Sequence, residues 1–364
     1  MPRHPTDLSD LRISRVRPLI TPALLAEELP LTAAATEVVT QGRTEAAAIL
    51  DGSDDRLLIV VGPCSVHDPA AALDYAQRLA PLAAELSGTV RVVMRVYFEK
   101  PRTTLGWKGL LNDPHLDGSY DVNSGLRAGR KLLLDILALG IPVGCEFLDP
   151  ITPQYLADAV SWGSIGARTA TSQVHRQLCS GLSMPIGIKN STSGDVQEAA
   201  DAVAAAAGQH VFPGITADGL AAIMTTTGNP DCHVILRGGR GGPNYHEAGV
   251  AAAMRVLAQA GLPSRLVVDA SHGNSGKDHR RQPDVAGDLA RRIADGERGV
   301  VGVMLESFLV AGRQDLILGE PDRLSYGQSI TDSCMSFDTT AQVLRELAAA
   351  VNHGRTRARV PVRG

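Results

Sequence analysis

The chain has 364 residues, of which 44% are hydrophobic and 20% are charged, so a large folded core is expected and general disorder is excluded. Its 35 basic and 39 acidic residues give a net charge of −4, which argues against nonspecific binding to nucleic acids. Five scattered cysteines, no secretory signal and no apolar run of about 18 residues lead us to expect a cytoplasmic protein without a membrane span.

Residues 1–45 form an N-terminal extension ahead of the first predicted strand. A helix is predicted from Ala33 to Asp51, because alanine and glutamate are frequent there and Gly52 can end it. We interpret the extension as a strap over the main domain or a subunit contact, with a regulatory arm as the alternative.

Eight short aliphatic runs follow within residues 46–352, and nearly every run leads at once to a residue that can bind a metal, a phosphate or a proton. The runs are Leu57–Val61, Val90–Val93, the segment at Val143, Ser164–Ala167, Ile186–Ile188, Val234–Leu236, Leu266–Val268 and Val300–Leu305. In a (β/α)8 barrel, the loops after the strands build the active site. The pattern therefore predicts an α/β protein whose catalytic domain is a (β/α)8 TIM barrel.

Helical segments are predicted between these runs. Asn123 or Ser124 is expected to cap a helix that ends before Gly140, and further helices are expected over 195–207 and 283–296. Alternation of strand and helix implies a parallel sheet with right-handed crossovers.

One segment, residues 209–228, is surplus to an eight-stranded barrel. Val211–Ile215 and Leu220–Met224 are predicted to pair as an inserted β-hairpin, packing with the N-terminal extension. Residues 353–364 are expected to form a frayed tail.

Four side chains at or just beyond strand ends are candidate metal ligands: Cys64, His272, Glu306 and Asp332. Three of them follow the first, seventh and eighth strands, which become neighbours when a barrel closes. One thiolate, one imidazole and two carboxylates suit Mn²⁺, Fe²⁺, Co²⁺ or Zn²⁺ better than Ca²⁺ or Mg²⁺. Packing or solvation can explain each residue alone, whereas their joint position favours a metal site.

Six basic residues are expected at the same end of the barrel: Arg95, Lys100, Arg102, Arg168, Lys189 and Arg237. Together they predict a pocket for phosphorylated or multiply anionic substrates. The alternative for each residue is a surface charge or an ion pair with a strand-end carboxylate. The run Gly238–Gly242 can bring backbone amides to a phosphate, although such runs are more often plain loops.

Glu146 follows the third strand and is a candidate for proton transfer to or from water or a neighbouring lysine. A salt bridge to Arg95 or Lys189 is the alternative interpretation.

Seven segments carry a resemblance to a known family: Gly62–Ser65, Arg95–Thr104, Gly166–Thr169, Ile188–Asn190, Leu236–Gly239, Ser271–Asn274 and Ser329–Asp332. They resemble the type I 3-deoxy-D-arabino-heptulosonate 7-phosphate (DAHP) synthases, in the class regulated by aromatic amino acids. The similarity runs from about Asp10 to about Leu347.

The resemblance implies the reaction that opens the shikimate pathway, in which phosphoenolpyruvate, erythrose 4-phosphate and water give DAHP and inorganic phosphate. It implies a divalent metal on Cys64, His272, Glu306 and Asp332. The residues it implies for phosphoenolpyruvate are Arg95, Lys100, Ala167, Arg168, Lys189 and Arg237. The segment Lys100, Pro101, Arg102 and Thr103 would hold the sugar phosphate, and the catalytic candidates are Lys100, Glu146, His272 and Asp332.

The same resemblance implies feedback inhibition by an aromatic amino acid. By position, Gln154, Ser183 and Phe212 are expected near the inhibitor site, and Pro150 favours tyrosine, with phenylalanine and tryptophan as alternatives. A homo-oligomer, either a dimer or a tetramer, is expected. Cys64 and Cys334 are expected to approach each other, so that oxidation can join them.

Three other functions are weighed against this one: a sister synthase acting on another aldose phosphate such as arabinose 5-phosphate, a generic metal aldolase, and a non-catalytic sensor. The Lys-Pro-Arg-Thr segment favours erythrose 4-phosphate. A generic aldolase does not explain so many anion-binding residues, and a sensor is expected to have lost a ligand or a cation.

Overall fold

Eight parallel strands close into a barrel in the computed structural model, which describes residues 8–102 and 105–359. In chain order all strands of the described residues are β1 (Leu57–Gly62), β2 (Val90–Arg95), β3 (Val143–Glu146), β4 (Trp162–Ile165), β5 (Ile186–Lys189), β6 (Val211–Ile215), β7 (Ala221–Thr225), β8 (His233–Leu236), β9 (Leu266–Asp269), β10 (Val300–Glu306), β11 (Val310–Arg313) and β12 (Gln328–Ser329). Two pairs of strands lie outside the barrel, β6 with β7 and β11 with β12. β1 pairs with both β2 and β10, which closes the ring of β1–β5 and β8–β10. The predicted barrel is confirmed.

The helices follow the alternation that the sequence predicts. In chain order they are α1 (Pro22–Glu28), α2 (Ala33–Asp51), α3 (Pro69–Glu85), α4 (Val122–Ala138), α5 (Pro153–Leu156), α6 (Gln173–Gly181), α7 (Gln197–Ala206), α8 (Glu247–Gln259), α9 (His272–Ser275), α10 (Gln282–Asp295) and α11 (Phe337–Arg359). α2 has its predicted limits and ends at Gly52, which adopts the left-handed conformation. α7 and α10 confirm the helices predicted over 195–207 and 283–296, with ends shifted by one or two residues.

Two predicted boundaries are wrong. The fourth barrel strand begins at Trp162 and ends at Ile165, two residues earlier than the segment predicted for it. α4 is capped by Asp121, whose carboxylate accepts a hydrogen bond from the Ser124 backbone N–H at 3.2 Å. Asn123 instead holds the N-terminal extension, because its side-chain oxygen accepts from the Ile20 N–H at 2.9 Å.

Helix α2, which begins in the N-terminal extension and continues beyond it, closes one end of the barrel. Ala46, Ile49 and Leu50 of α2 belong to the same buried cluster as the side chains that point into the barrel, among them Trp162. α2 contacts β1, β2 and β4. This arrangement fits the strap interpretation, and it leaves the opposite end of the barrel for the loops that follow the strands.

The insertion forms an antiparallel hairpin of β6 and β7, as predicted, with Val211 opposite Thr225. Its turn contains Gly219 at φ +76°, a conformation that favours glycine. The turn contacts the N-terminal extension, because the Ala23 N–H donates to the Ala217 carbonyl at 2.8 Å. The predicted packing of insertion against extension is confirmed at this point.

The segment after β10 brings Asp332 back to the barrel. β11 and β12 pair in parallel, and bridges join Ser307 to Met335 and Gly312 to Cys334. α11 then continues to Arg359, so residues 353–359, predicted to belong to a frayed tail, are helical. Among the described residues, no helix is both long enough and apolar enough to span a membrane.

Candidate active site

A cavity of about 310 Å³ opens at the carboxyl ends of the barrel strands, and we call it the active-site cavity. Most of the residues predicted for the site line it: Arg95, Lys100, Pro101, Arg102, Glu146, Ala167, Arg168, Lys189, Arg237, His272 and Asp332. Thr103, the remaining residue predicted to bind substrate, lies outside the described residues. The barrel thus brings together side chains that are up to 237 positions apart in the chain, from Arg95 to Asp332.

Three of the four predicted metal ligands meet beside this cavity, and the fourth, His272, approaches one of them. Ligand atoms of Cys64, Glu306 and Asp332 all lie within 4.8 Å of one another. His272 Nε2 lies 3.6 Å from Glu306 Oε1, so the imidazole faces the same group. A thiol, an imidazole and two carboxylates in this arrangement fit a divalent transition metal ion.

Burial and neighbouring charges together set the pKa values of two of these ligands. Burial raises the pKa of the Cys64 thiol, and the carboxylate of Glu306 raises it further. Burial alone would raise the pKa of Glu306, but His272, Arg95 and Lys100 hold it below its usual value. The cations around the group therefore keep its carboxylates ionised and able to bind a metal ion.

Lys100 contacts two of the four proposed ligands. Its Nζ lies 2.8 Å from Cys64 Sγ and 3.1 Å from Asp332 Oδ2. Burial would lower the pKa of Lys100, but the acidic groups of Cys64, Glu306 and Asp332 raise it. The ammonium group is thus a fixed positive charge between the ligands and the cavity.

Arg95 is held by the protein from several sides. Nε donates to the Pro63 carbonyl at 3.0 Å, and Nη2 donates to the Cys64 carbonyl at 3.0 Å and to Glu306 Oε1 at 2.9 Å. Nη1 approaches Met304 Sδ at 3.3 Å, and the guanidinium lies 3.8 Å above the ring of Tyr97. Arg95 has five N–H donors, so at most one is left for a substrate, and two of its contacts are with the proposed metal-ligand residues Cys64 and Glu306.

Lys189 and His272 share one carboxylate. Lys189 Nζ lies 3.1 Å from Asp269 Oδ2, and His272 Nδ1 lies 2.9 Å from the same oxygen. Burial would raise the pKa of Asp269, but His272 and Lys189 hold it well below its usual value. Sequence reasoning assigned Asp269 no function, because nothing in its spacing identifies its partners.

The other cations of the active-site cavity are more accessible. Arg102 and Arg168 are exposed. Arg102 Nε donates a hydrogen bond to the Trp107 carbonyl at 2.8 Å, and Arg168 Nη1 donates to the Pro101 carbonyl at 3.5 Å. Arg237 is half-buried, and burial lowers its pKa, which neighbouring Asp269 partly offsets. These guanidinium groups remain able to bind an anion.

Glu146 lies in the cavity wall and makes neither of the ion pairs proposed as its alternative. Arg95 pairs with Glu306, and Lys189 pairs with Asp269. A Cβ built on Gly166 would lie 2.4 Å from Glu146 Oε1, so the carboxylate occupies space that only glycine leaves at this position. The structure therefore leaves Glu146 directed at the cavity.

The glycine-rich loop is not a phosphate cradle of the predicted kind. The backbone N–H groups of Gly238, Gly239, Arg240 and Gly242 all donate to acceptors within the protein. Gly238 has φ +70° and packs against the Gly273 and Asn274 backbone, which explains the need for glycine there.

Sequence reasoning missed several residues that line the active-site cavity, among them the polar residues Lys277 and Thr192. Lys277 lines the active-site cavity at φ +63°, and its Nζ lies 3.5 Å from Asp332 Oδ1. Thr192 also lines the cavity. Both residues lie in loops that follow barrel strands, Thr192 after β5 and Lys277 after β9. Their distance along the chain from the strand end does not distinguish them from other loop residues.

Cys64 and Cys334 approach each other, as predicted. The Cys64 backbone N–H donates to Cys334 Sγ at 3.4 Å, and both thiols are free and buried. The contact places a second sulfur directly beside the proposed metal ligands.

A second cavity, of about 410 Å³, lies between the hairpin and the barrel, and we call it the side cavity. Gln154, Ser183 and Phe212 all line it, together with Arg43, Pro150 and Met224. The three residues predicted for an inhibitor site are thus contiguous in space, although they lie in different elements.

Comparisons with known proteins agree with this architecture. The family model described as the DAHP synthetase I family matches residues 32–345. The Phe-sensitive phospho-2-dehydro-3-deoxyheptonate aldolase of Escherichia coli K12 is 54% identical over 342 residues, which cover 94% of this chain and 97% of that protein. The Trp-sensitive enzyme of Enterobacter agglomerans is 53% identical over 344 residues, covering 94% of this chain and 98% of that protein.

A solved structure extends the similarity to three dimensions. The phospho-2-dehydro-3-deoxyheptonate aldolase of Francisella tularensis SCHU S4 superposes with a TM-score of 0.92 at 48% identity. The match covers 94% of this chain and 99% of that chain.

Proposed function

Because this chain belongs to the DAHP synthetase I family, we propose that its active-site cavity condenses phosphoenolpyruvate with erythrose 4-phosphate. The chain is a 3-deoxy-7-phosphoheptulonate synthase, the enzyme of the first step of the shikimate pathway. The observation that carries the assignment of the site is the convergence of the predicted cations and metal ligands on one cavity. The two substrates bring about five negative charges, which such a cavity can neutralise.

The metal site would be formed by Cys64, His272, Glu306 and Asp332. The mixture of sulfur, nitrogen and oxygen donors supports Mn²⁺, Fe²⁺, Co²⁺ or Zn²⁺. A bound divalent ion would supply Lewis-acid polarisation of the aldehyde oxygen of the sugar phosphate. Arg95 holds Glu306 in place for this purpose, since its Nη2 donates to Glu306 Oε1 at 2.9 Å.

The cations would divide between the two substrates. Lys189 is buried, Arg237 is half-buried and Arg168 is exposed, and together they would hold phosphoenolpyruvate. Ala167 would contact the same substrate, and Arg95 would have one free donor to offer it. Arg102 is exposed at the rim, and it would hold the phosphate of the sugar together with Lys100, Pro101 and Thr103. Lys100 would also contact phosphoenolpyruvate.

The chain's residues would also manage the protons. C3 of phosphoenolpyruvate attacks the aldehyde carbon of the sugar, water adds to C2, and the tetrahedral intermediate expels inorganic phosphate. Glu146 would accept the proton of the attacking water, because it is the carboxylate of the cavity wall without a basic partner among the described ion pairs. Lys100 is an ammonium group without a lone pair, so it would donate to developing anions rather than accept a proton.

Regulation by an aromatic amino acid would use the side cavity. Relatives that are named for sensitivity to different amino acids are almost equally similar to this chain, at 54% and 53% identity, and they support an aromatic inhibitor without distinguishing its side chain. Gln154, Ser183 and Phe212 would contact this inhibitor, and tyrosine remains the favoured one on the basis of Pro150. The N-terminal extension would act with the hairpin that it contacts.

A homo-oligomer, either a dimer or a tetramer, would bury the hairpin. Val211, Leu220 and Ile223 are exposed apolar side chains on this surface, 59%, 66% and 80% accessible. Apolar side chains exposed so close together are typical of interaction surfaces. Light scattering on the wild type and on Ile223→Asp tests this point, since only the wild type should form the oligomer.

The function is tested by phosphate release from phosphoenolpyruvate. Release should require erythrose 4-phosphate, should stop after chelation and should return when Mn²⁺ is added. Arabinose 5-phosphate in place of erythrose 4-phosphate should give little turnover. Release without any sugar, or release unaffected by chelation, would contradict the proposal.

A further inference from the structure

Asp269 is a buried carboxylate to which no reaction step above assigns a function. It is the last residue of β9 and is wholly buried. Its Oδ2 lies between Lys189 Nζ at 3.1 Å and His272 Nδ1 at 2.9 Å. One residue therefore joins a cation proposed for phosphoenolpyruvate to a ligand proposed for the metal.

The two oxygens of Asp269 are held differently. Oδ1 accepts hydrogen bonds from the Ser271 backbone N–H at 2.9 Å and from the Ser271 hydroxyl at 2.6 Å. Among the described residues, no hydrogen-bond donor is aligned with Oδ2, although Lys189 Nζ and His272 Nδ1 both lie close to it. Ser271 thus fixes the carboxylate, while the attraction at Oδ2 remains divided between two groups.

The surroundings of His272 Nδ1 favour one ring nitrogen for the metal group. The Ser271 hydroxyl, which donates to Asp269 Oδ1, lies 2.7 Å from Nδ1 and can accept its proton, and Asp269 Oδ2 lies beside the same nitrogen. A carboxylate beside Nδ1 favours the tautomer with a proton on that nitrogen, which leaves the lone pair of Nε2 free. Nε2 is the nitrogen that lies 3.6 Å from Glu306 Oε1. Asp269 is therefore placed to orient His272 as a metal ligand.

We propose that Asp269 is a positioning residue that couples phosphoenolpyruvate binding at Lys189 to metal binding at His272. An anion that attracts Lys189 leaves the charge of Asp269 less neutralised. The carboxylate then interacts more strongly with the imidazole N–H, and His272 becomes a better electron donor to the ion. Linkage makes the effect reciprocal, so that a bound metal ion strengthens phosphoenolpyruvate binding by the same factor. This inference rests on the function proposed above.

The coupling is measured by Mn²⁺ titration calorimetry with and without saturating phosphoenolpyruvate. In the wild type, phosphoenolpyruvate should lower the Kd of Mn²⁺. In Asp269→Asn the ratio of the two Kd values should shrink by about fivefold or more. Direct attraction between the ion and the substrate persists in both proteins and sets a common baseline. An unchanged ratio in a folded Asp269→Asn protein would overturn the proposal.

A pair of matched variants tests the coupling with Asp269 intact. Lys189→Gln and Arg168→Gln each remove one cation from the active-site cavity, but only Lys189 contacts Asp269. Both variants should weaken phosphoenolpyruvate binding, whereas the Kd ratio for Mn²⁺ should fall only in Lys189→Gln. An equal fall in both would attribute the coupling to general charge and would refute a function of Asp269.

Different results would contradict the proposed function and the proposed coupling. A wild-type protein that releases no phosphate from the two substrates would contradict the proposed function itself. A wild-type protein that turns over normally, with a Kd ratio that does not depend on Asp269 or Lys189, would contradict only the coupling.

Discussion

The ammonium nitrogen of Lys100 lies 2.8 Å from the sulfur of Cys64, a shorter separation than that between Lys100 and Asp332, at 3.1 Å. The side chain of Lys100 is mostly buried, so this charge is screened little by solvent. An ion that binds to Cys64 and Asp332 competes with Lys100 for their lone pairs. Lys100 therefore belongs to the metal group and to the substrate cavity at once.

Replacing Lys100 by glutamine should lower kcat/KM for phosphoenolpyruvate by about 10²-fold or more, because a preorganised cation beside the reacting groups is lost. Steady-state phosphate release checks this expectation. Lys108→Gln is the matched control, since Lys108 is exposed and lies outside the active-site cavity, and it should stay within about twofold of the wild type. Near-normal turnover by Lys100→Gln would show that the cation is dispensable.

Gly166→Ala should lower kcat while the protein remains folded. The new Cβ would lie 2.4 Å from Glu146 Oε1, so the carboxylate must move, and a shift of about 1 Å at a reacting group can cost about 10²-fold in rate. Turnover and circular dichroism are measured on the same preparations. Gly88→Ala is the control, because no atom of the described part of the chain lies within 4 Å of its Cβ position. Unchanged kcat in Gly166→Ala would argue against Glu146 as the base.

The barrel could be predicted from the sequence because its strands are buried on both faces. Such strands are continuous aliphatic runs, as in Leu57–Gly62, where every residue is buried. The ends of helices are harder to predict where several neighbouring polar residues can each serve as the N-cap. Asp121, Asn123 and Ser124 are all acceptable N-caps by residue type; in the structure Asp121 caps the helix and Asn123 binds the N-terminal extension.

The residues of the site could be predicted from the sequence, but not which acidic residue forms an ion pair with which basic residue. Parallel strands deliver their carboxyl ends to one rim, so the residues that follow them are expected to meet. Which acid pairs with which base depends on side-chain directions that only the fold determines. The sequence offered Glu146 as a partner for Arg95 or Lys189, whereas those cations pair with Glu306 and Asp269.

Filling the side cavity should remove inhibition without affecting basal turnover. Ser183→Phe puts a large ring into a space lined by Gln154 and Phe212, so the inhibition constant of whichever aromatic amino acid is effective should rise at least about tenfold. Titrations with phenylalanine, tyrosine and tryptophan are compared with those of Ser264→Phe, an exposed serine outside this cavity. Inhibition that survives in Ser183→Phe as in the control would locate the inhibitor elsewhere.

His233, at the start of β8 and remote from the active-site cavity, should make stability depend on pH. Burial lowers the pKa of His233 to about 4, and its Nε2 accepts a hydrogen bond from the indole N–H of Trp162 at 3.3 Å. An unfolded histidine titrates near about 6.5, so between these values the unfolded chain binds more protons than the folded chain. Stability is therefore fully present above about pH 6.5 and falls as the pH is lowered towards 4, by up to about 3 kcal/mol from this residue.

His233→Gln should remove that component while keeping an acceptor for Trp162. The variant should lose less stability than the wild type between pH 7 and pH 5, as measured by the urea concentration at half-unfolding. His67, whose pKa burial also lowers to about 4, is unchanged in both proteins and contributes the same background slope. The difference between the two pH profiles thus gives the contribution of His233 to the pH dependence of stability. Parallel profiles would mean that His233 is protonated equally in both states, so that its burial does not penalise the charged form.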